Sequence, residues 1–246
     1  MRSCIGQKIA TFSFFDEKCL TRFLLCYIIK SLWSIGDAGV YLWDRYTYAS
    51  FFVSQKGGNM NSVDLIELLE QNPIIAAVHE GGFAEAIDSP AAVIFYLKAN
   101  ILTLKDRVCA AHAAGKCIFV HIDLADGVGK DRAGVAYLKE CGVDGVISTR
   151  TQLLRQAKEA GLLAVQRFFA LDSQGLLSIS DTLQSPVADL IEIMPGVIGK
   201  VILKFADGKT PVIAGGLIET KKEVLSALDC GAIAVSTGKQ ELWSME

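Results

Sequence analysis

The sequence predicts an α/β fold, a compact TIM-type (β/α)8 barrel of parallel strands, from three observations. Eight short apolar runs rich in β-branched residues recur from Ile74 onward, and most of them end in glycine, small hydroxyl residues or charge. Helical or loop segments alternate with these runs, a pattern that demands a parallel sheet with right-handed crossovers. The last two runs, Pro211-Val-Ile-Ala-Gly-Gly-Leu217 and Ala232-Ile-Ala-Val-Ser-Thr-Gly238, break into paired turns. A (β/α) barrel shows such turns at its closing strands, where loop amides and a short helix start hold a phosphate. Eight units in 187 residues (246 minus 59) fall slightly under the usual lower size of about 200. A doubly wound open sheet is the other reading, and no G-x-G-x-x-G follows the first strand to support it.

The units follow in order from Met60. Ser62–Glu70 reads as an amphipathic helix capped by Ser62. The first strand, Ile74–Val78, runs into His79-Glu80-Gly81, and Glu85–Ser89 is a short connector to the second strand, Ala92–Leu97. A helix over Leu102–Ala114 stops at Gly115, and the third strand, Cys117–Asp123, ends in charge. Lys130–Glu140 and Thr151–Ala160 are helices stopped by Gly142 and Gly161, on either side of a fourth strand, Gly145–Ser148. Leu163–Phe169 is the fifth strand, Ser173–Gln184 a helix, and Asp189–Met194 a sixth strand closed by Pro195-Gly196. Val197–Ala206 is helical. The seventh strand then leads into a helix with Thr220 as N-cap, Glu223 three residues on and Gly231 as its stop. No helix is expected after the eighth strand, so the Ser62–Glu70 helix is assigned to cover that gap.

Composition bounds the function. With 51% hydrophobic residues, 21% charged and a net charge of −3, the chain provides one ordinary core and no basic field for nucleic acid. Seven cysteines without a C-x-x-C pair or zinc spacing point to a reducing cytoplasm, and neither metal nor disulfide is expected. Residues 1–59 differ: they are rich in aromatics without a sustained period, and their longest apolar run is Phe23–Ile29. That run falls short of the roughly 20 residues of a membrane helix, although aromatic runs of this kind also suit an interfacial hairpin. We expect 1–59 to be an extraneous or disordered extension, with translation starting at Met60 and 60–246 forming a single barrel domain. Lys56-Gly-Gly-Asn-Met60 is encodable by a purine-rich stretch like a ribosome-binding site before a start codon. Mass-spectrometric mapping of the native N-terminus decides the point.

Polar residues gather at strand ends: His79 with Glu80, His121 with Asp123, Arg150, Gln166 with Arg167, and Glu192. In a barrel these ends form one face, the one on which ligand sites are built. Gly215 and Gly216 allow backbone N–H groups close to an anion, and Ser236 and Thr237 add hydroxyl donors. Arg150 and Arg167 suit bidentate capture of phosphate or carboxylate. Asp123 and Glu192 fit four roles: an acid–base pair, a divalent-cation site, acceptors for ligand hydroxyls, or partners tying down the two arginines. His79 and His121 are ligand contacts or hydrogen-bonded packing residues. Together these residues fit a small phosphorylated polyol or acid. The sequence holds no nucleophile elbow, Walker loop or metal-ligand spacing.

Several motifs carry a resemblance. They are His121-Ile-Asp-Leu124 followed by Asp126-Gly127, Asp144-Gly-Val-Ile-Ser-Thr-Arg150 and Gln166-Arg-Phe-Phe-Ala-Leu-Asp-Ser173. Ile191-Glu-Ile-Met-Pro-Gly196, Ala214-Gly-Gly-Leu-Ile218 and Ser236-Thr-Gly-Lys-Gln-Glu-Leu-Trp243 complete the set. In this order, from about Asn72 to Trp243, they closely resemble the glycerol-3-phosphate responsive antiterminator family. The resemblance implies a cytoplasmic bacterial regulator with a TIM-like barrel. It would bind glycerol 3-phosphate as effector, without catalysis or cofactor, and act on the leader mRNA of glycerol-utilisation genes to prevent premature termination. No membrane partner is implied, and a homo-oligomer stays open. Carried onto the matching motifs, Gly215, Gly216, Ser236 and Thr237 would hold the phosphate. Asp123, Glu192, Arg150, Arg167 and His121 would surround the glycerol moiety or fix the pocket. RNA-binding residues are unassigned, because Lys98, Lys105, Arg107, Lys130, Arg132, Lys139, Arg155, Lys158, Lys200 and Lys204 are scattered. The alternative is a phosphate-binding barrel enzyme of aldolase, isomerase or glycerophosphodiester hydrolase type, with Asp123 and Glu192 as acid and base.

Overall fold

In the computed structural model, which describes residues 60–79 and 81–245, eight parallel strands close into a barrel in sequence order. The expected 1–59 extension lies outside the described residues. The strands are β1 (Ile74–Val78), β2 (Val93–Tyr96), β3 (Cys117–His121), β4 (Gly145–Ser148), β5 (Leu163–Phe169), β6 (Leu190–Met194), β7 (Val212–Gly215) and β8 (Ala234–Thr237). Pairing of Ile74 with Val235 and Ala76 with Thr237 joins β1 to β8 and shuts the cylinder. The helices are α1 (Ser62–Gln71), α2 (Phe83–Asp88), α3 (Leu104–Ala113), α4 (Arg132–Glu140), α5 (Thr151–Glu159), α6 (Ser173–Thr182), α7 (Gly199–Ala206), α8 (Lys221–Asp229) and α9 (Gln240–Trp243). None of them is long and apolar enough to cross a membrane.

Both faces of each strand are buried, which is why the strands read as continuous apolar runs. Successive side chains point to opposite faces. One parity, including Ile94, Ile118, Val120, Val146, Ile191 and Val235, joins the cluster beneath the helices. The other parity fills the barrel: Ile75, Phe95, Phe119, Ile147, Val165, Leu190 and Ile213 pack in a second cluster with Leu65, Leu68 and Leu69 of α1. Phe95 and Phe119 meet there with ring centroids 5.6 Å apart.

Three local expectations are corrected. Helix α1 is capped by Asn61, whose side chain accepts from Val63 N and Asp64 N, while the Asp64 carboxylate accepts from Asn61 N. Ser62 is already inside the first turn. The same helix does not fill a gap beside β8; its three leucines plug the N-terminal end of the barrel. That gap is instead covered by α9, anchored where Trp243 Nε1 donates to Thr237 O at 2.8 Å. The expected connector after Gly81 is helix α2, held by Phe83 against Tyr96 at a centroid distance of 5.3 Å.

Polar ties at the N-terminal strand ends serve stability. Lys116, its pKa pushed down to about 8 by burial, donates to Ser89 O and Ala91 O at 2.6 and 2.7 Å. Asp144 Oδ2 accepts from Ile118 N at 2.8 Å and meets His112 Nε2 at 2.9 Å. The hydrogen bond to Asp144 raises the His112 pKa above 6.5; burial opposes it and the Asp144 charge adds to it. The charged pair therefore stabilises the fold fully below 6.5 and fades as pH rises through the raised folded value. We expect His112→Ala to cost about 1 kcal/mol near pH 5.5 and clearly less near pH 8.5, a modest figure because the ring is a third exposed. Urea unfolding at the two pH values measures the difference.

Candidate functional site

The interior parity, continued to the C-terminal strand ends, places six residues in a ring above the apolar core. They are Ala77 on β1, His121 on β3, Arg167 on β5, Glu192 on β6, Gly215 on β7 and Ser236 on β8. Ala77, Gly215 and Ser236 sit on neighbouring strands and are all small. The ring thus carries small side chains over β7, β8 and β1 and large polar ones over β3, β5 and β6.

Glu192 is the hub of the ring. It is fully buried, and Arg167, directly opposite it in the β5–β6 register, donates Nε to its Oε2 at 2.6 Å. Ser236 Oγ donates to Oε1 at 2.5 Å. Gly215 is required here, because a Cβ would collide with both Glu192 Oε1 and Ser236 Oγ. His121, 3% exposed, keeps Nδ1 buried without a hydrogen-bond partner. Burial first, then the Arg167 charge, lowers its pKa to about 4, so the His121 imidazole is neutral at pH 7.

Asp123 forms a second cluster in the 3-10 turn Ile122–Leu124 after β3. It accepts from Ser148 Oγ at 2.8 Å, Thr149 N at 2.9 Å and Arg150 Nε at 2.8 Å. Burial alone would raise its pKa, but these hydrogen bonds and the nearby His121 and Arg150 charges hold it below the usual value. Arg150 is 53% exposed and also donates its backbone N to Ser148 Oγ, so the cluster pins the β3 and β4 loops together.

A third group lies above β7 and β8. Gly216 and Leu217 both take positive φ, 74° and 59°, and a Cβ on Gly216 would strike Met194. Gly196 N donates to Gly215 O at 2.6 Å and Gly216 O at 3.1 Å, which fixes this turn against the β6 loop. Thr237 has the outward parity: its hydroxyl donates to Ile218 O at 2.8 Å and accepts from Lys239 N at 3.1 Å. A hydroxyl has one hydrogen, so those of Ser236 and Thr237 are both given to protein acceptors.

The structure therefore brings His121, Arg167, Glu192, Gly215 and Ser236 together and sets Asp123 with Arg150 beside them. Gly216 and Thr237 belong to the rim above. Gln166 faces outward, donating to Thr151 Oγ1 at 2.9 Å, and His79 is exposed at the end of β1. Of the paired readings for the two acids, both are seen tying down an arginine. Ser148 and Ala77 went unnoticed in the sequence. The signal for Ala77 was a pair of small residues, Ala76 and Ala77, near the end of a short apolar strand. The described residues contain no cluster of three or more metal-ligating side chains. Basic residues are dispersed: Lys98 lies 3.9 Å from Asp126, Lys158 2.7 Å from Asp189, and Arg132 pairs with Glu159.

Comparison with known proteins adds to this geometry. The family model for the glycerol-3-phosphate responsive antiterminator matches residues 74–243. An uncharacterized protein of Escherichia coli strain K12, YgcP, is 34% identical over 184 residues, 74% of this chain and 96% of its own length. The crystal structure of a glycerol uptake operon antiterminator-related protein from Thermotoga maritima superposes with a TM-score of 0.64 at 34% identity, covering 71% of this chain and 99% of its own. That of a glycerol uptake operon antiterminator regulatory protein from Listeria monocytogenes gives 0.66 at 35%, covering 70% and 95%. A deoxyribose phosphate aldolase from Aeropyrum pernix, at 14% identity and a TM-score of 0.53, covering 77% and 94%, shares the fold alone.

Proposed function

This chain belongs to the glycerol-3-phosphate responsive antiterminator family, and we propose that its barrel, residues 60–246, senses glycerol 3-phosphate at the mouth. So loaded, it binds the leader mRNA of glycerol-utilisation genes in the cytoplasm and prevents premature termination. The phosphate lies over the small side chains of β7, β8 and β1, on main-chain N–H groups of the turn at Gly215 and Gly216 and beside Ser236 and Thr237. The glycerol hydroxyls point to Glu192, Arg167 and His121, while Asp123 and Arg150 hold the adjoining loops.

The observation that carries this reading is the unpartnered Nδ1 of a buried His121 within the ring of Arg167, Glu192 and Ser236. An unpaired buried polar atom costs about 1–3 kcal/mol, and a ligand hydroxyl removes that cost. Sensing is favoured over turnover because both acids already accept hydrogen bonds from arginine and hydroxyl partners. A Schiff-base aldolase also needs an interior lysine, and β1–β8 contain none.

Calorimetric titration with glycerol 3-phosphate, followed by a phosphorus NMR assay of the mixture, tests the reading. The expected result is saturable one-site binding, a stabilisation of about 2.7 kcal/mol at ligand 100-fold over Kd, and no new phosphorus species. Absence of binding, or steady product formation, contradicts it.

A further inference from the structure

The geometry points to Glu192 as the residue that decides which phosphate ester enters this mouth: one ending in hydroxyls, and not one ending in a carboxylate. The inference rests on the mouth being the ligand site.

Glu192 is an acceptor with no hydrogen to give, and its carboxylate has about four lone-pair positions. Arg167 Nε and Ser236 Oγ fill one on each oxygen. What remains can only accept, so the group that meets it must donate. A hydroxyl does so. A carboxylate brings a second negative charge beside one that is already removed from water.

The neighbours do not offset that charge. Arg167, itself buried, is committed to Glu192 across the β5–β6 register, so the pair contributes no net positive charge. His121 is neutral at pH 7 and offers one donor and one acceptor, the complement of a hydroxyl. Gly215 lacks a Cβ, and the space it would take lies against Glu192 Oε1 and Ser236 Oγ, so no side chain on β7 stands between that oxygen and the mouth. Of the exposed cations at this end of the barrel, Arg150 is held by Asp123 and Lys239 pairs with Glu219. A site built this way rejects a ligand that cannot supply the hydrogen, since its buried acceptor is then left unpaired.

The test is a calorimetric titration of the wild-type protein with glycerol 3-phosphate, 3-phosphoglycerate and inorganic phosphate. Glycerol 3-phosphate is expected to bind at least about 100-fold more tightly than 3-phosphoglycerate, the effect of placing like charges together in a desolvated site. Inorganic phosphate, lacking the hydroxyls, is weaker than glycerol 3-phosphate. Glu192→Gln narrows the ratio to below about 10-fold by removing the charge while keeping the shape. The double variant Arg167→Gln with Glu192→Gln keeps the narrowed ratio in a protein that has no unpaired buried charge. Equal wild-type affinity for the two esters overturns the inference and leaves the proposed function standing, as does a ratio unchanged in both variants. No binding of glycerol 3-phosphate at all overturns the proposed function, and the inference with it.

Discussion

Arg167→Met is expected to lower the stability of the barrel by about 3–5 kcal/mol, because it strands a buried carboxylate. Arg167 and Glu192 have side-chain exposures of 7% and 1%, and the guanidinium Nε lies 2.6 Å from Oε2. Methionine fills much of the same volume, so the loss comes from the charge and not from a cavity. With Arg167 gone, Glu192 retains only the Ser236 hydroxyl as a seen donor. The partner experiment is Arg167→Met with Glu192→Leu, which removes both charges and recovers most of the loss, since an apolar replacement of a buried pair is often neutral. Lys98→Met is the contrast: Lys98 and Asp126 are 59% and 60% exposed and 3.9 Å apart, and breaking such a pair costs less than about 1 kcal/mol. Urea unfolding at pH 7 compares the three variants. A loss below about 1 kcal/mol in the single variant would mean that water, not Arg167, solvates Glu192.

The same pair shows how far the sequence could be read. Strands β1–β8 were legible because apolar branched runs ended in glycine or charge, and helix α8 because Thr220 and Glu223 form its capping box. The gathering of polar residues at one end of the barrel was legible for the same reason. Parity was not. A parallel strand buried on both faces carries no alternation to say which of two adjacent polar residues looks inward. Arg167 enters the ring while Gln166 turns out to Thr151; Ser236 enters while Thr237 turns out to Ile218. Only the register of eight closed strands decides such cases. Helix α9 was hidden because four residues are too few to display a period, and its docking depends on one indole hydrogen bond to Thr237 O. The role of α1 was hidden too, since its apolar face fits a barrel floor as well as a barrel wall.

The proposed function requires that effector binding at the mouth and RNA binding be coupled. A ligand that favours the RNA-competent form must be favoured by it in return, with coupling of typical size about 5–150-fold. Glycerol 3-phosphate is therefore expected to tighten leader-RNA binding at least about tenfold. Gly215→Ala supplies the control, since its methyl falls where Glu192 and Ser236 meet, beside the place proposed for the phosphate. In that variant, confirmed as folded by circular dichroism, RNA affinity should no longer respond to the effector. The measurement is a gel shift of leader RNA against wild type and Gly215→Ala, with and without saturating glycerol 3-phosphate, at one fixed salt concentration because phosphate contacts vary with salt. The account predicts a tenfold or greater shift in the wild type and none in the variant. Equal wild-type affinity with and without glycerol 3-phosphate would contradict it.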